Sequence, residues 1–260
     1  MKETTTTQWI LPLLIAFLTL SCNSDDDTGN LPKLRPQQIK VDAVISGASF
    51  TYDFSYNADN RIIGINMVRN EVVDTYRFNT SIVYNENDQV STILIIDVDN
   101  GTAIQINFDY NPDGVIADMG LSVGGTNYNL VVENDRLNYR ITSPDAISLL
   151  PLEFDFDENN QPTRIVNSNR VANISYGTES GVFNAVDVSP ALNIWFQLLY
   201  PFSTDMYFFA SSSVESYSFD NGETRTLINE QRDENGNVIS FDVPVANETF
   251  KHVITYQPLN

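Results

Sequence analysis

The only cysteine in the sequence, Cys22, stands where a thiol can receive a lipid. It follows the apolar residues 9–20 and Ser21, a small residue of the kind found at signal-peptide cleavage sites. The apolar run is shorter than the roughly 20 residues that span a bilayer, so we do not expect a transmembrane helix. We predict that residues 1–21 are a signal peptide and that Cys22 is the lipid attachment site. The alternative is an ordinary secretory signal followed by a free cysteine, which is unusual in a secreted protein.

Acidic side chains are the next candidates for chemistry, because two suitably spaced carboxyl groups can hydrolyse a glycosidic bond. The ones that stand out occur in Asn-rich turn sequences: Asp59, Asp88, Asp113, Asp157, Glu158 and Asp233. Turn formation accounts for them without catalysis. Residues 97–101 resemble the start of a calcium-binding loop, but Phe108 stands where such a loop ends in Glu. His252 has no Ser or Asp neighbour in the sequence and is expected to be structural. We therefore predict a protein that is not an enzyme, with no catalytic residue, metal site or cofactor.

Composition and charge narrow the classes of partner. The sequence carries 34 acidic and 14 basic residues, which gives a net charge of −20 and a pI near 4.1. Nucleic acids and anionic lipid head groups attract basic surfaces, so neither is an expected partner. One histidine and one cysteine are too few for a zinc site built from such ligands within one chain.

The character of the sequence changes at residue 38. Residues 22–38 are polar, contain Gly and Pro, and lack periodic apolar residues, which indicates an acidic flexible tether. From Ile39 onward the sequence consists of short β-branched and aromatic runs broken by Asn, Asp and Gly. We predict a single β-repeat domain over residues 39–260.

A motif recurs about every 25 residues in this region. Most copies have an apolar residue, a second one two positions later that is usually Tyr, then Asn or Asp, a short turn sequence and a β-branched residue. The clear copies are residues 54–62, 82–90, 108–116 and 154–161, and the looser ones are 131–137 and 231–238. Residues two apart lie on one face of a strand, and Asn, Asp and Gly reverse the chain. Each copy is therefore predicted to be a β-hairpin.

Hairpins of this kind are expected to pair side by side, because a single one is only marginally stable. The predicted fold class is all-β. It is a long antiparallel meander of repeated hairpins, of about 16 strands, that forms a curved sheet or a barrel-like structure.

One segment interrupts the strand pattern and predicts a short helix near residues 190–200. The Ser-Pro pair at 189–190 suits a helix start, apolar residues then recur at helical spacing, and a proline ends the run. Two interpretations of its aromatic residues remain open. Either the helix packs against the sheet, which we favour, or Trp195, Phe196 and Tyr200 form a ligand platform for a sugar or a protein.

Two of these patterns resemble features of known proteins. Cys22 followed by Ser24, Asp25, Asp26 and Asp27 resembles the export signal of Bacteroidota surface lipoproteins. The hairpin motif resembles the YD (Rhs-type) repeat. It is more closely similar to the degenerate repeats of Bacteroidota lipoproteins of unknown function with a porin-like β fold. This resemblance implies a protein that is lipid-anchored in the outer membrane and faces the cell exterior, with repeats that act as a scaffold.

Three classes of function follow from these features. The favoured one is a non-catalytic cell-surface lipoprotein that acts as a binding or scaffold module for a glycan, an envelope protein or an outer-membrane partner. The alternative is a carrier that holds a lipid or another apolar ligand in the curved sheet. An Asp/Glu-dependent glycoside hydrolase is the least expected. In each case the protein would contact the membrane through its lipid anchor.

Overall fold

A computed structural model describes residues 33–145, 150–167, 170–199, 205 and 207–259. Within these ranges the chain forms 18 strands and one helix. Strands β1 to β9 are Leu34–Ala43, Ser49–Tyr56, Ile62–Asn70, Thr75–Tyr84, Val90–Asp97, Ala103–Tyr110, Ile116–Val123, Thr126–Asn129 and Val131–Asn134. Strands β10 to β18 are Asn138–Thr142, Leu152–Phe156, Pro162–Asn167, Arg170–Ser180, Ser212–Phe219, Thr224–Thr226, Ile228–Arg232, Val238–Val245 and Glu248–Pro258. The helix, α1, is Pro190–Leu199.

The described strands form two antiparallel sheets. One has 11 strands in the order β16-β17-β18-β1-β2-β3-β4-β5-β6-β7-β8, and the other has 7 in the order β15-β14-β13-β12-β11-β10-β9. Most strands pair with their neighbours along the chain, as a meander of hairpins requires, and β1 also pairs with β18 near the chain end. The prediction of an all-β antiparallel fold with one short helix is therefore confirmed.

The structure has two sheets where one was predicted, because the meander divides into two open sheets. The larger sheet alternates buried and exposed residues, as in β2, where Tyr52 and Phe54 are buried and Ser55 is exposed. A sheet with one apolar face needs a second layer to cover it. The smaller sheet supplies part of that layer, since one hydrophobic core contains residues of both sheets and of α1.

The boundary of the predicted tether also shifts. Strand β1 begins at Leu34, so residues 34–38 lie in a strand instead of the tether. Here the backbone of β1 pairs with β18, with Leu34 opposite Pro258. The register is irregular at Pro36, which has no N–H to donate. The sequence did not indicate this part of β1, because a polar segment that contains proline lacks the apolar alternation of a typical strand. Its pairing partner, β18, is also far away in the sequence.

The repeat turns share one hydrogen-bond pattern. In the first, Asn57 Oδ1 accepts hydrogen bonds from the backbone N–H groups of Asp59 and Arg61, and Asn60 takes a positive φ of 63°. The same acceptor position is filled in four later turns by Asn85, Asn111, Asp157 and Asp233. Asn and Asp recur in the motif because their short side chains hold the turn in this way.

Tyrosine hydroxyls join several hairpins to a neighbouring one, although the copy at residues 154–161 has Phe156 in place of the tyrosine. The hydroxyl of Tyr84 donates a hydrogen bond of 2.8 Å to the carbonyl of Ile62, the first residue of β3. Four other tyrosines donate to backbone carbonyls in the same way: Tyr56 to Pro36, Tyr110 to Val90, Tyr176 to Pro162 and Tyr256 to Val238. In a looser copy, the side-chain amide of Asn134 donates to the carbonyl of Ile116. Burial raises the pKa of Tyr84, which keeps the hydroxyl protonated as a donor.

Candidate functional site

The aromatic residues predicted as a ligand platform are inside the protein where the structure describes them. Trp195 and Phe196 have exposed fractions of 3% and 4%. Phe196 stacks on Phe208 with ring centroids 5.0 Å apart, and Trp195 packs against Phe209 at 6.0 Å. This arrangement corresponds to the interpretation in which the helix packs against the sheets. A ligand would reach these rings only after α1 had moved away.

The other predicted site residues lie outside the described ranges: Cys22, Ser24, Asp25, Asp26, Asp27 and Tyr200. Lipid attachment and export therefore stay predictions. Among the described residues, no helix is both long and apolar enough to cross a membrane.

A cavity of about 630 Å³ opens where several repeat turns meet the start of α1. Its volume lies in the usual range for small-molecule sites, which is roughly 300–1,000 Å³. We call it the turn cavity, and its lining consists of Asp88, Gln89, Tyr110, Asp113, Gly114, Val115, Ile116, Arg136, Leu137, Tyr139, Glu158, Asn160, Ser189 and Pro190. Most of these residues belong to the hairpin turns β4–β5, β6–β7, β9–β10 and β11–β12.

Side chains link successive turns and fix this wall of the cavity. The guanidinium of Arg61 donates to Asp88 at 2.7 Å, and the amide of Gln89 donates to the carbonyl of Gly114 at 3.3 Å. Each turn is also held internally by its own Asn or Asp. The turn cavity is therefore largely formed before any ligand arrives, which lowers the entropic cost of binding.

Arg136 is the unusual residue of the turn cavity. Asp135 and Asn138 close a two-residue hairpin around Arg136 and Leu137, and only Arg136 of the central pair has a positive φ, of 83°. A positive φ is usually taken by Gly, Asn or Asp and seldom by arginine. Arg136 is exposed, and no carboxylate lies within ion-pair distance of it among the described residues. Arg136 lies in the loose repeat of residues 131–137, and the sequence did not indicate this geometry.

The remaining polar groups of the cavity suit hydrogen bonding. Asp113, Glu158 and Asn160 are exposed, and their side chains make no hydrogen bond to described residues. The hydroxyl of Ser189 is buried without a described partner. The lining has no histidine or cysteine, and no group of three His, Cys, Asp or Glu side chains among the described residues is arranged to hold a metal. What the cavity offers is a set of acceptors, donors and one guanidinium.

The single histidine belongs to a separate, buried cluster. His252 Nδ1 lies 3.1 Å from the carbonyl oxygen of Phe250, and Nε2 lies 3.2 Å from Asp205 Oδ1. The hydroxyl of Tyr52 donates to Asp205 Oδ2 at 2.8 Å, and the ring of Phe241 stacks on His252 at 4.5 Å. The histidine and aspartate side chains are 0% and 6% exposed, so this cluster has no open approach for a substrate. No spacing in the sequence pointed to the contact with Asp205, which lies 47 residues from His252.

The fold is similar to that of a solved structure, a porin-like protein from Bacteroides uniformis. The two chains are 16% identical and align with a TM-score of 0.54. The alignment covers 85% of this chain and 98% of the other. At so low an identity the likeness shows the fold alone, and it agrees with the porin-like β fold that the repeats implied. No family model matches the sequence, and no curated protein matches it either.

Proposed function

We propose that the protein is a non-catalytic cell-surface binding module whose ligand is a glycan that enters the turn cavity. The observation that carries the proposal is the turn cavity itself, a polar space of about 630 Å³ between turns that hydrogen bonds hold in place. Sugars present many hydroxyl groups, each of which donates and accepts hydrogen bonds. The free carboxylates of Asp113 and Glu158, together with the amide of Asn160, match such a ligand.

The cell-surface part of the proposal rests on the sequence. Cys22 would carry the lipid, and Ser24 with Asp25–Asp27 would direct the protein to the outer face of the outer membrane. Residues 22–33 would form the tether between the lipid and β1. The repeats, in the manner of YD-type repeats, would serve as the scaffold that positions the cavity.

An apolar carrier receives less support from the core. The space between the sheets near α1 contains closely packed rings, such as Phe183 and Phe208 with centroids 5.7 Å apart and Phe54 and Phe183 at 5.5 Å. An apolar ligand in this place would have to displace these rings.

The test is to block the cavity with a matched pair of variants. Glu158 and Glu234 are both exposed and occupy the second position of the same type of turn, but only Glu158 lines the cavity. Purified Glu158→Trp and Glu234→Trp proteins would be titrated with a panel of neutral and acidic oligosaccharides. We expect Glu158→Trp to lose at least tenfold in affinity for the glycan that the unaltered protein binds, and Glu234→Trp to bind normally. Equal binding by both variants, or no binding by the unaltered protein, would contradict the proposal.

A further inference from the structure

Arg136 has a positive φ in a turn one residue shorter than the neighbouring repeat turns, in which other residue types take the positive φ. The residues with positive φ in the neighbouring repeat turns are Asn60, Asp88, Gly114 and Asn160. These are the residue types that tolerate this conformation, whereas a long side chain such as arginine adopts it at a cost. Strain of this kind is found most often where a side chain has a function. The residue with this conformation is also one of the residues that line the turn cavity, and it is the arginine among them.

The charge of Arg136 is available for a ligand. Arg61, the arginine of an earlier repeat turn, pairs with Asp88 at 2.7 Å. Arg136 has no such partner among the described residues, although the chain carries a net charge of −20. Asp113 and Glu158 line the same cavity without lying within 4 Å of its guanidinium nitrogens. A guanidinium without an ion pair in so acidic a protein keeps its fork of N–H donors available for a ligand.

We propose that Arg136 binds a carboxylate of the ligand, so that the glycan of the turn cavity is an acidic one that contains a uronic acid. This inference rests on the proposed function and adds the ligand class. The planar guanidinium can donate two parallel hydrogen bonds to one carboxylate, which gives direction as well as affinity. The sugar hydroxyls then face the acceptors Asp113 and Glu158.

The acidic residues of the cavity limit how tightly an acidic glycan can bind. Asp88 is paired with Arg61, so its charge is largely compensated. Asp113 and Glu158 are uncompensated and exposed, so water and salt screen them from the ligand. Their charge lowers the affinity for an acidic ligand relative to a neutral one of the same shape. Replacing Asp113 by Asn is therefore expected to strengthen binding of the acidic glycan, which is a change that a purely structural residue would not produce.

The experiment compares an acidic oligosaccharide with its own methyl ester. A trimer of galacturonic acid and the fully methyl-esterified trimer have the same sugar rings and hydroxyl groups, and they differ in charge. Each would be titrated into the protein by calorimetry at 20 mM and 300 mM NaCl, with sodium acetate as a probe for a free carboxylate. We expect the acid to bind roughly ten- to a hundredfold more tightly than the ester at low salt, with acetate much weaker than the trimer. At 300 mM NaCl the difference in affinity between the acid and the ester should be smaller.

Three variants connect this preference to Arg136. Arg136→Asn keeps a residue type that the neighbouring turns use at positive φ, so it should fold, with an unfolding temperature equal to or above that of the unaltered protein. It should lose the preference for the acid, because the affinity for the acid should fall much more than the affinity for the ester. Arg136→Lys keeps the charge without the planar fork and should retain only part of the preference. Asp113→Asn should raise the affinity for the acid.

The outcomes separate the two proposals. If acid and ester bind equally, or if Arg136→Asn keeps the preference for the acid, the inference on Arg136 is wrong and the glycan-binding proposal stands. Tight binding of acetate alone would also overturn it, because the ligand would then be any small carboxylate. If neither trimer binds and a wider glycan panel also gives no binding, the proposed function itself fails.

Discussion

At the residue scale, two kinds of side chain in the repeats direct their hydrogen bonds to the backbone. The Asn or Asp that opens a turn holds that turn, and the tyrosine hydroxyl reaches a carbonyl of a neighbouring hairpin. The first interaction is local, so the sequence motif predicted it. The second joins residues 22 positions apart, as from Tyr84 to Ile62, and needs the register of the sheet to be known. The sequence therefore indicated the tyrosine as a strand residue and not as a link between hairpins.

The phenol hydroxyl of Tyr84 should contribute to stability. Tyr84→Phe keeps the ring and leaves the carbonyl of Ile62 without its partner, so we expect a loss of about 1–2 kcal/mol in the free energy of unfolding. Urea unfolding followed by circular dichroism would measure it. Tyr76→Phe is the matched control, because Tyr76 is 38% exposed and its hydroxyl has no described partner. An equal loss in both variants would mean that the hydroxyl bond is not the cause.

Glu248 makes the stability of the protein depend on pH in the acidic range. Its carboxylate accepts hydrogen bonds from the backbone N–H groups of Ile45 and Ser46, both at 2.8 Å, and these bonds lower its pKa from 4.5 to about 2. A folded-state pKa below the unfolded one stabilises the protein above pH 4.5, and this contribution is lost as the pH falls towards 2. Glu248→Gln should lower the urea midpoint at pH 7 and change it little at pH 2. Glu86→Gln, at an exposed carboxylate without a described partner, should leave both midpoints unchanged.

At the scale of elements, helix α1 illustrates what periodicity can and cannot predict. The Ser-Pro start and the apolar spacing located it correctly at residues 190–199. An amphipathic stripe was expected, yet every residue from Ala191 to Leu198 is buried, including Asn193 and Gln197. A helix covered on all sides contacts both sheets, here β5 and β11, and the second sheet was not predicted. The contact of Asp205 with His252 was not predicted either, because the two residues are 47 positions apart and Asp205 lies in the segment between α1 and β14.

Trp195 tests the packing of this helix. Trp195→Ala should lower the free energy of unfolding by about 3–5 kcal/mol, because it removes a large ring from a filled core. The unaltered protein without residues 1–21 has no other tryptophan, so its fluorescence reports this site alone. We expect blue-shifted emission and weak quenching by acrylamide. Val73→Ala, at a side chain that is 86% exposed, is the control and should change stability little. Red-shifted, freely quenched emission would contradict the burial of α1.

At the scale of the whole molecule, the repeats indicated the fold class, and the division into two sheets came only with the structure. All hairpins carry similar signals, so the motif does not show where one sheet ends. The turn cavity was missed for a related reason. Its lining comes from turns that are far apart in sequence, such as Gln89 and Asn160, and each turn by itself is ordinary. Arg136 was visible in a loose repeat, but its positive φ and its lack of a partner are properties of the folded chain.

Attachment to the membrane is a prediction that concerns the whole molecule. Cys22→Ala should abolish lipid labelling and move the protein from the membrane fraction to the soluble one. Replacing Asp25, Asp26 and Asp27 with Ala should keep the lipid and reduce cleavage by protease added to whole cells. Full accessibility of this triple variant would mean that the acidic run is only a tether.

The most direct test of glycan binding in the turn cavity is to locate the ligand by NMR. Backbone amide shifts of the domain from residue 33 onward would be followed while the tightest-binding oligosaccharide of the panel is added. We predict that the shift changes are concentrated at residues 88–89, 113–116, 136–139 and 158–160, the turns that line the cavity. Changes centred on the exposed face of the larger sheet or on the core around Trp195, with those turns unaffected, would contradict this prediction.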